Sequence, residues 1–435
     1  MPEKSSINRR GFLKRSAAGL VGAGAAVTTS WTQSRENKTA NPKIKGHRIL
    51  GRTGFKVSDL ATGSIQDEGV LRAALEAGIN YIDTAEQYPG HHKIVGKAIK
   101  GLDRKSLFIC SKIEMTGEIT KEGILKRTRK ALEEIGTEYL DCMMMHFPET
   151  VATLGTEGYH QAMQELKSEG RVHFTGASHH GSFWLRAPEV SMESILGAAA
   201  EDGRFDVFLL AYNFLQMDAS EKILRLCREK NIGAALMKTT PINTFNKIKA
   251  SVDRLKKEGK DINPLYSDGL DNYTKMVERA QAFLKNNNLE DPAEIKKAAI
   301  LFVLKNPDVN TVCATARNFE ELELWLSQSG RNLSSSQRAL LNAYEKHCGQ
   351  LYCRHACGLC EPNCPHQVPV NTIMRYHHYF TAQGREREAM EKYNRIPGQD
   401  ASICTKCGGH CVSACPYGVP IQGMLMLAHS QLTLV

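Results

Sequence analysis

The chain has 435 residues, too many for one small domain and enough for a large domain with an accessory module. Its hydrophobic fraction of 42% is ordinary for a soluble globular protein, and its N-terminal uncharged stretch, residues 16–34, is too polar and too short for a stable membrane span. Part of the formal net charge of +9 belongs to residues 1–34, so the charge balance gives no support for nucleic-acid binding.

The N-terminal segment, residues 1–34, carries the run Asn8-Arg9-Arg10-Gly11-Phe12-Leu13-Lys14 ahead of a stretch rich in Ala and Gly. This arrangement resembles a twin-arginine export signal. It implies export of an already folded bacterial protein to the periplasm or cell envelope, or a cytoplasmic protein if the leader is not used. A disordered basic tail is the alternative.

From about residue 47, short apolar runs alternate with helical stretches such as 123–135 and 161–168, which predicts βα units around a parallel sheet. Eight strands are predicted, at residues 59–65, 81–83, 107–113, 139–146, 172–178, 207–212, 233–237 and 311–314. Eight such units favour an α/β fold of the (β/α)8 TIM-barrel type over residues 45–330. An open doubly wound sheet is the alternative, but no Gly-x-Gly-x-x-Gly follows the first strand.

Two further segments belong to the barrel region. Residues 47–54 are expected to form a small hairpin that closes the barrel bottom. Residues 242–272 are expected to form an insertion after the seventh strand, with six Lys or Arg and two acids between positions 246 and 260. That basic run predicts a solvated helix face, or else a contact with cofactor phosphates or an acidic redox partner.

Four ionisable residues follow or end consecutive predicted strands. Asp83 ends the second strand and Tyr88 follows it, Lys112 ends the third, and His146 ends the fourth. The carboxyl ends of barrel strands meet at one mouth, so the four are expected to converge there. Singly, each is more often structural.

Their chemistry suits carbonyl reduction, which needs hydride at carbon and a proton at oxygen. Tyr88 would donate the proton, Lys112 would lower its pKa, Asp83 would hold Lys112, and His146 would orient the carbonyl. With the segments ILGRTGFKVS and GINYIDTAEQY, this set resembles the aldo/keto reductase family between about residues 47 and 329. The resemblance implies a TIM barrel, a carbonyl or alcohol substrate, and NADP(H) bound across the mouth.

The resemblance also implies a cofactor site at the ends of the later strands, formed by Ser178, His179, Asn213, Met237, Lys238, Arg317 and Asn318. The site departs from the family pattern because His179 replaces an Asn, Leu209 a Gln, and Met237 an aromatic. Arg317 stands where a basic residue often meets the 2′-phosphate, which favours NADP(H) over NAD(H). A metal held by His146, His179 and His180 is an alternative use of these histidines.

Eight of the 13 cysteines form two runs near the C-terminus. The runs are Cys353-x3-Cys357-x2-Cys360-x3-Cys364-Pro365 and Cys404-x2-Cys407-x3-Cys411-x3-Cys415-Pro416. They resemble the runs of bacterial two-cluster ferredoxins, in which the fourth cysteine serves the other cluster. One [4Fe–4S] cluster is therefore assigned to Cys353, Cys357, Cys360 and Cys415, and the other to Cys404, Cys407, Cys411 and Cys364. Each run holds one extra residue relative to the strict pattern, and zinc sites or disulfides are the alternatives.

Residues 331–435 are thus expected to form a mostly helical, ferredoxin-like two-cluster domain, with residues 376–380 packed around the clusters. The whole chain resembles a bacterial subgroup of the family with such a tail and a twin-arginine leader. We expect an oxidoreductase that transfers hydride between NADP(H) and a carbonyl or alcohol, with electrons exchanged with a redox partner protein or a quinone. The alternatives are structural clusters on the same reductase, or a non-enzymatic electron-transfer protein.

Overall fold

The structure is a computed structural model that describes residues 42–180, 190–242, 245–259, 264–396, 398 and 400–433. The leader expected at residues 1–34 lies outside the described residues. Within them, no helix is both long and apolar enough to cross a membrane.

A short hairpin closes the bottom of the molecule. It pairs β1 (His47–Ile49) with β2 (Lys56–Ser58) in antiparallel register around a 3-10 turn, so it extends beyond the predicted residues 47–54. Leu50, at the tip, is fully buried among residues of the barrel interior. Gly51 has φ 49°, and a Cβ there would lie 2.3 Å from the backbone nitrogen of Gly233, so only glycine fits.

Eight parallel strands form a closed barrel, as predicted. They are β3 (Leu60–Thr62), β4 (Tyr81–Asp83), β5 (Phe108–Glu114), β6 (Leu140–His146), β7 (Val172–His179), β8 (Val207–Ala211), β9 (Gly233–Met237) and β10 (Thr311–Ala314). The barrel closes where β10 pairs with β3, which excludes the open doubly wound sheet. The first strand is shorter than the predicted 59–65, and Asp59 lies just before it, where its carboxylate accepts hydrogen bonds from the Ser329 hydroxyl and the Gly330 amide.

Buried side chains fill the barrel interior, because the strands are apolar on both faces. Tyr81, Phe108 and Met144 are fully buried there, and the Tyr81 and Phe108 rings stack 5.2 Å apart. The chemistry is therefore confined to the rim at the carboxyl ends of the strands.

The first seven helices surround the barrel: α1 (Glu68–Glu76), α2 (His91–Ile99), α3 (Lys121–Ile135), α4 (Val151–Leu154), α5 (Glu157–Ser168), α6 (Met192–Asp202) and α7 (Asp218–Glu229). The predicted helical stretches fall within α3 and α5. Local signals set the bounds of α3: the Thr120 hydroxyl accepts from the Gly123 amide, and Gly136 ends the helix at φ 70°.

The insertion after β9 is longer than predicted. It forms α8 (Phe245–Glu258) and α9 (Pro264–Asn286), so it runs past residue 272. On the outside, Lys249 pairs with Asp253 and Lys256 with Asp271, each at 2.9 Å, as the solvated-face interpretation expects. On the inside, Tyr273 is fully buried in the core of the C-terminal helices.

The remaining helices are α10 (Ala293–Leu304), α11 (Phe319–Leu326), α12 (Ser335–Cys348), α13 (Val370–Gln383), α14 (Glu386–Asn394), α15 (His410–Ser413) and α16 (Ile421–Leu432). The C-terminal region is thus mostly helical, as predicted. It shares one apolar core with the insertion, separate from the main barrel core. Helices α9 and α16 approach closely at glycines, since a Cβ on Gly423 would lie 2.9 Å from the Gly269 carbonyl oxygen.

Candidate functional site at the barrel mouth

The structure brings Asp83, Tyr88, Lys112 and His146 together at one end of the barrel. Lys112 Nζ lies 2.7 Å from Asp83 Oδ1 and donates to the Thr84 carbonyl oxygen at 2.7 Å. The same ammonium lies 5.1 Å from the centre of the Tyr88 ring. The His146 ring meets Tyr88 edge-on, 6.1 Å between centres. A phenol, an ammonium, a carboxylate and an imidazole therefore form one cluster.

The buried ion pair between Lys112 and Asp83 determines the charge state of Lys112 in this cluster. Burial lowers the pKa of Lys112, but attraction to Asp83 and then to Tyr88 outweighs it, so the pKa is raised above its usual value. Lys112 is fully buried and stays charged at neutral pH, which places a fixed positive charge beneath the phenol.

The pKa of Tyr88 differs from the sequence-based expectation. Burial raises it to about 12, although Lys112 and Arg385 act in the opposite direction. Lys112 does lower the pKa, as predicted, but the net shift is upward because desolvation of the phenolate is the larger effect. Tyr88 therefore keeps its proton near neutrality.

His146 is neutral at the same pH. Burial lowers its pKa well below the usual value, and the cations Lys112, Lys392, Arg375 and Arg385 lower it further. Its Nδ1 is buried with no hydrogen-bond partner among the described residues. The ring can therefore donate or accept one hydrogen bond without carrying charge.

The predicted cofactor residues at the ends of β7 and β8 surround the same mouth. Ser178 donates weakly to the Met145 carbonyl oxygen at 3.5 Å. Both ring nitrogens of buried His179 have no hydrogen-bond partner among the described residues. Asn213 is already engaged, since its amide donates to the Lys238 carbonyl oxygen at 3.0 Å and to the Tyr352 hydroxyl at 3.3 Å.

The predicted residues after β9 and β10 behave differently from one another. Lys238 and Arg317 line a cavity of about 120 Å³, whose walls come from both barrel loops, α11 and α13. Met237 ends β9 beside this cavity without being among its lining residues. Asn318 is the N-cap of α11 and accepts from the Glu321 amide at 2.8 Å, so its side chain is occupied in the fold.

Helices α13 and α14 cover the barrel mouth. Residues 376–380 also pack against the cysteine region, as expected: Tyr376 and Tyr379 share a core with Cys360 and Cys404, and the His378 ring lies 4.9 Å from that of His355. We call residues 370–394 the roof. From it, the Arg385 guanidinium lies 5.7 Å from the Tyr88 ring centre, and the Tyr379 ring lies 4.3 Å from Lys238 Nζ. The sequence showed the aromatic and histidine-rich run of the roof, but nothing in it indicated which part of the barrel the run would meet.

The cysteines group as the ferredoxin-like pattern predicts. A cavity is lined by Cys353, Cys357, Cys360 and Cys415. Burial raises the pKa of Cys353, and its neighbours Cys360, Cys357 and Cys415 raise it further. None of the 13 cysteines forms a disulfide.

The second set shows the same electrostatic pattern. Burial and then Cys411, Cys364 and Cys407 raise the pKa of Cys404. Cys411 also raises the pKa of Cys360, so the two sets are neighbours. Among the described residues, no three or more His, Cys, Asp or Glu are placed closely enough to hold a single metal ion. That finding also applies to His146, His179 and His180.

The cysteine region touches the mouth directly. Tyr352 precedes Cys353 and receives the Asn213 hydrogen bond, and the Arg354 guanidinium donates to the Leu215 carbonyl oxygen at 3.1 Å. Gln216 also donates to the His355 carbonyl oxygen. The loop after β8 is thereby tied to the first cysteine run.

Comparison with known proteins identifies the family of the barrel region. Residues 56–346 match the aldo/keto reductase family. A Schizosaccharomyces pombe protein named as a voltage-gated potassium channel beta subunit is 25% identical over 324 residues, covering 65% of this chain and 87% of that protein. A methylglyoxal reductase of Escherichia coli is 34% identical over 137 residues, covering 30% of this chain and 44% of the relative.

Among solved structures, a thermostable aldo-keto reductase crystallised with the inhibitor epalrestat is 22% identical, with a TM-score of 0.46. The alignment covers 69% of this chain and 99% of that one. Because the family match spans more than half of its length, this chain belongs to the aldo/keto reductase family and is an oxidoreductase.

Proposed function

We propose that the protein transfers hydride between NADP(H) and a carbonyl or alcohol, with Asp83, Tyr88, Lys112 and His146 as its catalytic residues. The observation that carries the proposal is the buried Lys112–Asp83 ion pair beneath Tyr88, with His146 edge-on to the same ring. Bound NADP(H) supplies the hydride in reduction and accepts it in oxidation.

In the direction of reduction, the Tyr88 hydroxyl donates its proton to the carbonyl oxygen. A pKa of about 12 keeps that proton in place until the oxygen gains negative charge. The phenolate left behind is stabilised by Lys112, whose charge is held by Asp83. Neutral His146 donates a hydrogen bond to the same oxygen and so orients it.

Two observations support the nicotinamide cofactor. His179 has two unpartnered buried ring nitrogens, which suit a polar amide group. Lys238 and Arg317 line one cavity beside the mouth; the Lys238 ammonium carries the charge that suits a phosphate, whereas the Arg317 guanidinium is paired with Glu321. Ser178, His179 and Met237 would hold the nicotinamide end, beside Asn213, whose amide is already bonded within the fold. Lys238 and Arg317 would hold the phosphates, and Asn318 would act through the start of α11.

We also propose that the two cysteine sets hold two [4Fe–4S] clusters. Four thiols converge on one cavity, in the pairing that the ferredoxin pattern predicts. Bound clusters would supply one-electron transfer, and the link from Cys353 through Tyr352 to Asn213 supports exchange with the mouth. A redox partner protein or quinone would be the external acceptor or donor.

Export by the twin-arginine route is part of the same proposal. Its support is the motif at residues 8–14 and the advantage of exporting a protein after its clusters are built.

The first experiment measures carbonyl-dependent oxidation of NADPH by the anaerobically purified full chain, with methylglyoxal and a panel of aldehydes and ketones. Tyr88→Phe is expected to lower kcat by about 10²- to 10⁴-fold, the usual contribution of a positioned acid. Tyr139→Phe, in the barrel beside Arg104 and away from the mouth, serves as the matched control. Equal activity of the two variants would contradict the assignment of Tyr88.

The second experiment is electron paramagnetic resonance before and after NADPH, without substrate. A reduced-cluster signal after NADPH is expected, with about eight irons per chain. A signal with dithionite alone would support clusters without exchange, and no signal with either would remove the cluster proposal. Cys353→Ser is expected to lose iron, whereas Cys227→Ser in barrel helix α7 is expected to keep it.

A further inference from the structure

A second cavity lies on the outer side of the first cysteine run, and we call it the outer cavity. It has a volume of about 480 Å³ and is bounded by that run, the start of α6, the start of α7 and the end of α12. It shares five lining residues with the cavity of the first cysteine set: Arg354, Cys357, Gly358, Leu359 and Tyr417. A molecule in the outer cavity would therefore be separated from that set only by these shared residues.

Exposed apolar side chains are concentrated around the outer cavity. Among the described residues, five large apolar side chains are exposed, and three of them line this cavity, namely Met217, Leu359 and Tyr417. Leu359 is 55% exposed, although it directly precedes buried Cys360. A contiguous group of exposed apolar side chains on a soluble protein marks an interaction site more often than a single one does.

The rim of the outer cavity is acidic. Glu193, Asp218 and Glu345 line it, and among the described residues only Glu193 forms an ion pair, with a lysine of α7 at 2.8 Å. The single cation in the lining, Arg354, is buried, and its guanidinium donates to three backbone carbonyl oxygens. This face of the molecule therefore presents negative charge around an apolar centre.

We propose that the outer cavity is the docking site of a small one-electron carrier protein that presents basic side chains around an apolar surface. The inference rests on the proposed function, because it names the partner with which the first cluster exchanges electrons. Charge complementarity selects this occupant, since the carboxylates of Asp218 and Glu345 favour a basic partner. The exposed Leu359 and Tyr417 side chains would be buried at the centre of the interface, where apolar and aromatic residues contribute most of the affinity.

The proposed transfer moves a single electron and makes or breaks no bond. The reduced cluster of the first cysteine set loses one electron, and the oxidised centre of the carrier gains it. NADPH gives up two electrons as hydride, so each NADPH reduces two carrier molecules in turn and releases one proton. The contribution of the chain is a short path, because Cys357 borders both cavities.

A small quinone is a less suitable ligand for the outer cavity. Small-molecule sites enclose most of the ligand surface, whereas the three large apolar side chains here are between 37% and 55% exposed. The acids of the rim are also unsuited to quinone oxygens, because an ionised carboxylate accepts hydrogen bonds and donates none.

The test measures how cytochrome c, a basic one-electron carrier used as the probe, binds to the anaerobically purified full-length holoprotein. Isothermal titration calorimetry at low salt gives the Kd. The double variant Asp218→Asn with Glu345→Gln is expected to raise this Kd by about 10-fold, and so is Leu359→Ser. Cytochrome c with acetylated lysines, which carries fewer positive charges on the same fold, should bind the wild-type protein more weakly.

Each variant has a matched control at the bottom of the barrel, away from the outer cavity. Ile49→Ser removes a side chain of β1 that is 55% exposed, the same fraction as Leu359. The double variant Glu138→Gln with Glu229→Gln removes two exposed carboxylates, one before β6 and one at the end of α7. Both controls should keep the wild-type Kd. In stopped-flow mixing of the reduced protein with oxidised cytochrome c, the rate of electron transfer should fall in the cavity variants and with added salt, and not in the controls.

The outcomes separate the docking site from the proposed function. A Kd that is the same in the wild type, the cavity variants and the controls would overturn the docking site. A wild-type dimer that Leu359→Ser converts to monomer in size-exclusion chromatography would assign the face to a second copy of the chain and also overturn it. Oxidation of the reduced protein by a short-chain ubiquinone that Leu359→Ser slows, without binding of cytochrome c, would assign the cavity to a quinone instead. A purified chain without iron would count against the proposed function, while the Kd comparison would still decide the docking surface.

Discussion

Two tyrosine–lysine pairs share the barrel mouth, and they differ in what surrounds the lysine. Lys112, beneath Tyr88, has Asp83 at 2.7 Å. Lys238, beside Tyr379, has no carboxylate partner among the described residues and lies 4.3 Å from the phenol ring. Burial lowers the pKa of Lys238 to about 8, whereas Asp83 keeps that of Lys112 above its usual value.

The phenols follow the opposite pattern. The pKa of Tyr88 rises to about 12 by burial and that of Tyr379 falls to about 8 among cations. A carboxylate thus secures the charge of the barrel lysine and at the same time disfavours phenolate on its neighbour. We call Tyr88 with Lys112 the barrel pair and Tyr379 with Lys238 the roof pair. Tyr88 therefore keeps its proton until a substrate oxygen accepts it, whereas the two groups of the roof pair titrate near pH 8.

The largest effect is expected from breaking the ion pair between Lys112 and Asp83. Lys112→Met leaves Asp83 buried without its partner, and we expect it to lower the free energy of unfolding by about 3–5 kcal/mol. Urea unfolding of the full chain measures the loss. The double variant Lys112→Met with Asp83→Asn should recover much of the stability while remaining inactive. A single variant as stable as wild type would show that the pair is not held as a buried ion pair.

A second test concerns the proton of the roof pair. Phenolate absorbance should show one tyrosine that titrates near pH 8 in the wild type and is missing in Tyr379→Phe. Lys238→Met should move this titration back toward pH 10, since Lys238 is the main cation that stabilises the phenolate. Tyr88→Phe should leave it in place. A wild-type titration that begins only near pH 10 would refute the contrast between the two pairs.

The same shifts predict how stability depends on pH. Tyr379 and Lys238 both have folded-state pKa values near 8, below their unfolded values of about 10. The unfolded chain therefore binds more protons between pH 8 and 10, so their contribution to stability rises with pH there, by up to about 1.4 kcal/mol per unit for each group. It is lost as the pH falls through 8. Tyr379→Phe should flatten this slope, measured as urea midpoints at pH 8, 9 and 10, and an unchanged slope would contradict the assignment.

The smallest effect is expected where the cysteine region is joined to the barrel. Tyr352→Phe removes the hydroxyl that accepts from Asn213, and we expect a loss of about 0.5–1.5 kcal/mol. The Asn213 amide keeps its bond to the Lys238 carbonyl oxygen. If the loss exceeds that of a buried hydrogen bond, Tyr352 supports more than this one contact.

The sequence predicted the barrel well because each strand is a short apolar run and three consecutive strands carry an ionisable residue at or near their carboxyl ends. Asp83, Lys112 and His146 could be placed at one mouth from strand order alone. The sign of the Tyr88 shift could not be predicted, because it depends on how completely the phenol is desolvated. Asn318 was assigned to the cofactor by position, and its competing role as a helix cap became visible only in the fold.

The roof could not be predicted for a different reason. Arg385 and Tyr88 are almost 300 positions apart in the sequence. An amphipathic pattern predicts which face of a helix is buried, but it does not predict the surface against which that face packs. The flanking cysteines correctly predicted that the aromatic run at 376–380 packs near them, but the sequence did not show that the same helix also covers the barrel mouth. The cysteine pairing was predictable because it follows from short, regular spacing.

The roof lies between the two cysteine runs in the chain, with Cys364 six residues before α13 and Cys404 after α14. Each end of the roof over Tyr88 is therefore joined to a cysteine-rich loop. Oxidative damage to those thiols would loosen the anchors and admit water to the catalytic phenol. Damage to the cysteine runs would in this way lower the activity of the barrel, and a chain whose cysteine runs were not correctly formed would be unable to reduce substrate.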